Sequence, residues 1–182
     1  MSYMQDEHTL APWRRLAEAL AGSFTARALG SFVSASEFAI QDREGEQIGR
    51  LRIHGSQGAE LEAGDLVARI ERSVPTRYAM LAGGTTILAA EPAGALNTPE
   101  IRCSDRLYRG RLSLLRNTAE AGLSGEEAKV CITGGLTNRN YEAVFDAGDE
   151  GSLPVALFLL YLTVALRREA YLTAGLGRVD PS

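Results

Sequence analysis

The spacing of hydrophobic positions along this chain changes twice. Near the N-terminus Trp13, Leu16, Leu20 and Phe24 recur three and four residues apart, while Arg14, Arg15 and Glu18 lie off that stripe. The spacing predicts an amphipathic helix over 9–29, with Thr9 as cap and Pro12 in the first turn, after a disordered start over 1–8. Such a stripe lies against a domain core, or else against a membrane surface or a partner protein.

From Phe32 the period becomes two. Phe38 and Ile40 alternate with Glu37, Ala39 and Gln41, Asp42 to Glu46 makes a turn, and Gly49, Leu51 and Ile53 alternate with Arg50 and Arg52. That is a β-hairpin. Leu66, Ala68 and Ile70 repeat the alternation, and 76–81 and 85–90 flank the turn at Gly83-Gly84. A Pro- and Gly-bearing loop over 91–99 precedes Ile101 to Cys103. Tyr108, Gly110, Leu112 and Leu114 then share one face, 117–127 reads as a loop, and 129–133 and 139–145 flank a turn at Gly134-Gly135.

The last change is the loss of any polar face. Leu153 to Leu166 is apolar all round, opened by Ser152 and Pro154 and closed by Arg167-Arg168-Glu169, with Gly175 as a stop. A helix of this kind is buried on every side, in protein or in lipid. About 14 residues at 1.5 Å each span only ~21 Å, short of the ~30 Å core of a bilayer. A membrane-anchoring tail is therefore the lesser alternative.

Strands with one apolar face each and a helix apolar on all sides have a common solution. The sheet closes into a barrel, which removes its edges, and the helix fills it. The expected fold is mostly β (α+β): a closed antiparallel barrel of about twelve strands around a central hydrophobic C-terminal helix over 153–174. The barrel domain spans 30–175, with a tail over 176–182.

Composition adds boundaries. With 45% hydrophobic and 23% charged residues the chain is an ordinary globular domain, and its net charge of -4 gives no electrostatic case for nucleic acid. Cys103 and Cys131 are too far apart for a zinc motif, and read as buried free thiols in a reducing cytoplasm. The polar, acidic N-terminus lacks the pattern of a signal peptide. No nucleophile elbow, phosphate loop, dinucleotide fingerprint or zinc-binding helix is present, so no catalytic residue and no cofactor is assigned. His54 falls at a strand end without a nameable partner. The Gly-Gly pairs read as hairpin turns rather than phosphate loops.

The run from Phe38 to Leu51, an extended strand, an acidic Gly turn and an apolar-Gly-basic strand, followed by meandering strands and the helix Leu153 to Leu166, resembles the tubby C-terminal, LURP-one-related and phospholipid-scramblase-like proteins. The resemblance covers roughly Gly30 to Ala174. It implies a twelve-stranded barrel threaded by a hydrophobic helix, and contact with phosphoinositides or other membrane lipids. Gly49-Arg50-Leu51 and Gly110-Arg111-Leu112 hint at an internal duplication.

Two groups of candidate site residues follow. Scramblase-like proteins place a calcium-responsive acidic segment before the helix, and Asp146, Asp149 and Glu150 occupy a comparable position. Their spacing departs from an EF-hand loop, and they equally suit the positive end of the helix that follows. The second group is the arginine-rich stretch Arg102, Arg106, Arg109, Arg111 and Arg116. Arg109 and Arg111 point outward by period two, where guanidinium groups can grip an anionic headgroup or simply face solvent. The function expected is a non-enzymatic binding or scaffold protein contacting an anionic phospholipid surface, with a protein partner at the Trp13 helix as a further expectation. The alternative is a small-molecule-binding barrel or enzyme with a loop-built site.

Overall fold

The computed structural model describes residues 7–30, 36–55, 57–95 and 97–176. Helix α1 (Glu7–Leu20) leads into β1 (Ser23–Leu29), β2 (Glu37–Gln41), β3 (Gln47–Ile53) and β4 (Gly58–Ala63). There follow β5 (Leu66–Val74), β6 (Arg77–Ala82), β7 (Thr85–Pro92) and β8 (Pro99–Cys103). The series ends with β9 (Arg106–Ser113), β10 (Thr118–Leu123), β11 (Ala128–Gly134), β12 (Asn140–Phe145) and α2 (Ser152–Leu176). Each strand pairs antiparallel with its sequence neighbours, and β1 also pairs with β12, closing a twelve-strand barrel. Of the expected disordered start over 1–8, residues 1–6 lie outside the described residues, and Glu7 and His8 begin α1. Of the expected tail over 176–182, Leu176 still belongs to α2, which runs past the expected stop at Gly175, and the rest lies outside the described residues.

Helix α2 runs through the barrel, and every residue from Leu153 to Ala165 is buried. It lies nearest β10, β11 and β12, whose inner faces carry the small residues Ala119, Ala121 and Ala143. The same near wall carries Val130, Ile132, Tyr141 and Phe145, and across the interior Phe38, Ile40, Leu51, Leu61, Ile70 and Met80 join alanines of β4 to β6. Large and small side chains thus alternate on both walls and fill the interior to native density. Phe158, Tyr78 and Tyr161 stack edge to face or tilted at 5.7–6.4 Å. Among the described residues no helix is long and apolar enough to cross a membrane.

Connections alternate between two ends. The β2–β3, β4–β5, β6–β7, β8–β9 and β10–β11 turns and the β12–α2 segment lie where α2 enters. The β3–β4, β5–β6, β7–β8, β9–β10 and β11–β12 connections lie where it leaves. Helix α1 closes the entry end: Trp13, Leu16 and Leu20 join the core, and Arg14 and Arg15 reach Glu150 and Asp65.

The structure departs from the pattern reading at both helices, at three strands and at one cysteine. The N-terminal helix ends at Leu20 instead of running to Leu29, because Ala21 (φ 50°) and Gly22 (φ 87°) turn left-handed and break it. Phe24 thus belongs to β1, where it alternates inward with Ala26 and Ala28. The loop expected over 117–127 contains β10, hidden because its inward residues are alanines, and β4 hides likewise behind Ala59 and Ala63. Ser152 does not cap α2: its hydroxyl donates backward to the carbonyls of Asp149 and Asp146, and the Gly151 carbonyl accepts the first helical bond. Cys103 is buried as expected, but Cys131 is exposed, since it sits on the outward phase of β11 beside inward Val130 and Ile132.

The Gly-Arg-Leu echo falls on β3 and β9, which stand opposite each other in the ring. In both copies leucine is buried, arginine is exposed, and a Cβ on the glycine would collide with the next strand, 2.9 Å from Ala63 Cβ or 2.8 Å from Pro99 Cγ. The strands before them carry a matching Glu-apolar-x-apolar-x-Asp-Arg run, Glu37 to Arg43 and Glu100 to Arg106. Both turn arginines brace a junction at the entry end. Arg43 donates to Ala21 O and Ser23 Oγ, and Arg106 pairs with Asp149.

Candidate functional site

The three acids before α2 do not converge. Asp149 is buried and accepts from the Tyr108 hydroxyl at 2.7 Å, from Arg106 Nη1 at 2.9 Å and from the Gly151 amide at 3.1 Å. Asp146 pairs with Lys129 Nζ at 3.1 Å and accepts from the Gly148 amide at 2.9 Å. Glu150 pairs with Arg14 at 2.6 Å. Each carboxylate is thus engaged by a different cation, and among the described residues no cluster of acidic, His or Cys side chains could hold a metal ion. These contacts tie the start of α2 to β9, β11 and α1.

The electrostatics agree with a structural lock. Burial and the hydrogen bond to Asp149 push the Tyr108 phenol well above its ordinary range. The bond from Lys129, with that from Gly148, holds Asp146 below its ordinary value, and the same bond raises Lys129. Burial, then the Asp149 charge, pushes the Cys103 thiol up to about 12, so it is no nucleophile at neutral pH.

Arg109 and Arg111 are found on the barrel wall as expected, with side chains 63% and 78% exposed. They border an outer trough of about 440 Å³ over β9 and β10, floored by Gly110, Ala121 and Gly122 and closed by the loops at Thr98 and Glu126. Arg109 faces Glu100 at 3.8 Å and Arg111 faces Glu120 at 3.9 Å. These separations are ion pairs without hydrogen bonds, worth at most about 1 kcal/mol on an exposed wall. The guanidinium donors stay available to an anion that offers better geometry. Arg102 and Arg106 lie on other strand positions, and Arg106 is committed to Asp149.

At the exit end the structure assembles a group that spacing does not reveal. Arg167, buried on α2, donates from Nε to Asn138 Oδ1 at 2.6 Å, from Nη1 to Leu114 O and from Nη2 to the Tyr171 hydroxyl at 2.9 Å. Tyr141 Oη donates to the same Asn138 oxygen at 2.9 Å, and Asn117 Nδ2 donates to Gly135 O at 2.8 Å. One guanidinium therefore fixes the β9–β10 and β11–β12 connections to the helix. The signal in the sequence is a charged residue directly following a fully apolar run. His54 is exposed at this end of β3, 3.4 Å from Glu60.

No family model matches the sequence, and no curated protein matches it. A solved X-ray structure of a protein from Arabidopsis thaliana, AT5G01750, is similar in fold with a TM-score of 0.55 at 11% identity, over 80% of this chain and 93% of that one. At that identity the likeness shows the fold: a closed twelve-strand barrel with a C-terminal helix inside it.

Proposed function

We propose that this protein is a non-enzymatic binding or scaffold protein of the tubby-like, LURP-one-related and scramblase-like barrel group, and that it contacts anionic phospholipid. The observation that carries the reading is the filled barrel. With Leu153 to Ala165 buried on all sides, ligands meet the outer surface, which argues against a small-molecule site in a lumen. On that surface Arg109 and Arg111 present hydrogen-bond donors above a trough, the geometry with which guanidinium groups hold a phosphodiester. Glu120 and Glu126 border the same trough and limit it to ligands that also carry a cationic group, such as a phosphoserine headgroup. A protein partner at α1 would use its outer face, because Trp13 is spent on the barrel. Two free thiols, one exposed, suit a reducing cytoplasm.

Calorimetric titration with glycerophosphoserine tests the trough. The wild-type chain is expected to bind saturably, and Arg109→Ala/Arg111→Ala to lose the signal while unfolding at the same temperature. Equal binding by the double variant, or none by the wild type, overturns it.

A further inference from the structure

The two ends of the barrel differ in charge and in exposed apolar surface. Entry-end connections carry Asp42, Glu44, Asp65, Asp105, Glu126 and Glu127 among their acids, against Arg43. The described exit-end connections contain no Asp or Glu and contribute Arg116 and Arg139, beside Arg168 on the emerging helix. The rim acids Glu169 and Glu91 are paired with Arg72 and Arg77. Of the large apolar side chains exposed among the described residues, Val74, Leu115, Leu136, Tyr171 and Leu172 stand at the exit end. Leu115 and Leu136, at 100% and 98% exposure, occupy the tips of the β9–β10 and β11–β12 connections.

A single exposed leucine needs no explanation, since most protein surface is apolar. Two fully exposed leucines held outward by one buried arginine are different. Arg167 binds the carbonyl of Leu114, next to Leu115, and the side chain of Asn138, two residues beyond Leu136. Asn117 joins the two connections to each other. The tips are presented by connections that Arg167 and Asn117 already tie together, so ordering them on contact costs little.

We propose that the exit end docks on an anionic lipid bilayer, with Leu115 and Leu136 entering the headgroup layer and Arg116, Arg139 and Arg168 meeting the anionic headgroups. A bilayer fits because it accepts apolar tips and basic side chains together, while the acidic entry end is repelled and turns away. Helix α2 then stands along the membrane normal with Tyr171 and Leu172 at the interface. This surface shares a class of partner with the proposed function but does not use the Arg109–Arg111 trough, so the two succeed or fail separately.

The experiment is co-sedimentation of the full chain with phosphatidylcholine vesicles, with and without phosphatidylserine. Wild type is expected to bind the serine-containing vesicles and to be released by salt. Leu115→Ser/Leu136→Ser is expected to lose at least about tenfold in affinity, and Arg116→Gln about fivefold. Both sites are exposed, so folding is read separately by thermal unfolding. Leu115→Trp is expected to blue-shift its emission on serine-containing vesicles, against the buried Trp13 background. Wild-type failure to bind, unchanged binding by the double leucine variant, or an unshifted Leu115→Trp overturns the proposal. So does a preference for a soluble protein or nucleic acid that the leucine variant abolishes while vesicles are ignored. Loss of vesicle binding in Arg109→Ala/Arg111→Ala alone would assign the contact to the wall and overturn docking by the exit end.

Discussion

Arg167 on α2 and Asn138 on the β11–β12 connection are joined by a 2.6 Å hydrogen bond from Nε to Oδ1. It is placed where the fully apolar helix meets the barrel rim. The arginine is buried, so its charge is balanced by carbonyl, amide and phenol oxygens rather than by water. The expected result is that Arg167→Met destabilises the fold by about 3 kcal/mol in urea unfolding, since it removes charged hydrogen bonds and strands their acceptors. Arg167→Lys does not rescue it, because one ammonium cannot span three acceptors held in a planar fork.

At the opposite end Tyr108 and Asp149 form the matching lock. Tyr108→Phe removes a donor from a buried carboxylate and is expected to cost about 1–3 kcal/mol, read as a lower urea midpoint at unchanged slope. Gly151→Ala is expected to destabilise as well, because its Cβ would overlap the Tyr108 hydroxyl.

The Lys129–Asp146 pair makes stability depend on pH at both extremes. Asp146 titrates below its ordinary value when folded, so its contribution is present above the ordinary carboxylate value and is lost as pH falls through the depressed one. Lys129 titrates above its ordinary value, so its contribution is present below the ordinary lysine value and is lost as pH rises through the raised one. Thermal unfolding across pH is expected to show Lys129→Met flattening both limbs slightly, the effect being small on a partly exposed pair.

The two cysteines should separate cleanly by reactivity. Cys131 is exposed and Cys103 is buried with its thiol raised to about 12. Alkylation of the folded chain followed by mass spectrometry is expected to modify Cys131 alone, with Cys103 reacting only in denaturant. Cys131 also has a raised thiol value, chiefly through partial burial, so its reaction speeds up in mildly alkaline buffer.

The barrel was legible in the sequence because its strongest signals are redundant. Leu51 and Ile53 alternate with Arg50 and Arg52, Phe38 and Ile40 with Glu37, Ala39 and Gln41, and Leu153 to Ala165 leaves no polar face to expose. Strand β10 was not legible because its inward residues at 119 and 121 are alanines, and alanine carries little pattern. The outward placement of Arg109 and Arg111 followed from period two. Their trough did not, because it needs Thr98 and Glu126 brought in from other connections. Tyr108 and Asp149 are 41 residues apart, and Arg167 lies 53 from Leu114, so neither lock could be read locally. The charge difference between the ends becomes visible only once the topology sorts the connections.

Native-state hydrogen exchange along α2 tests the central claim, a barrel closed around a helix that fills it, most directly. The amides of 155–165 are expected to exchange only through global unfolding, with the highest protection in the chain, while those of 170–174 exchange by local fraying. Exchange of 155–165 as fast as 170–174 under native conditions would show that α2 leaves the barrel, and would contradict the account.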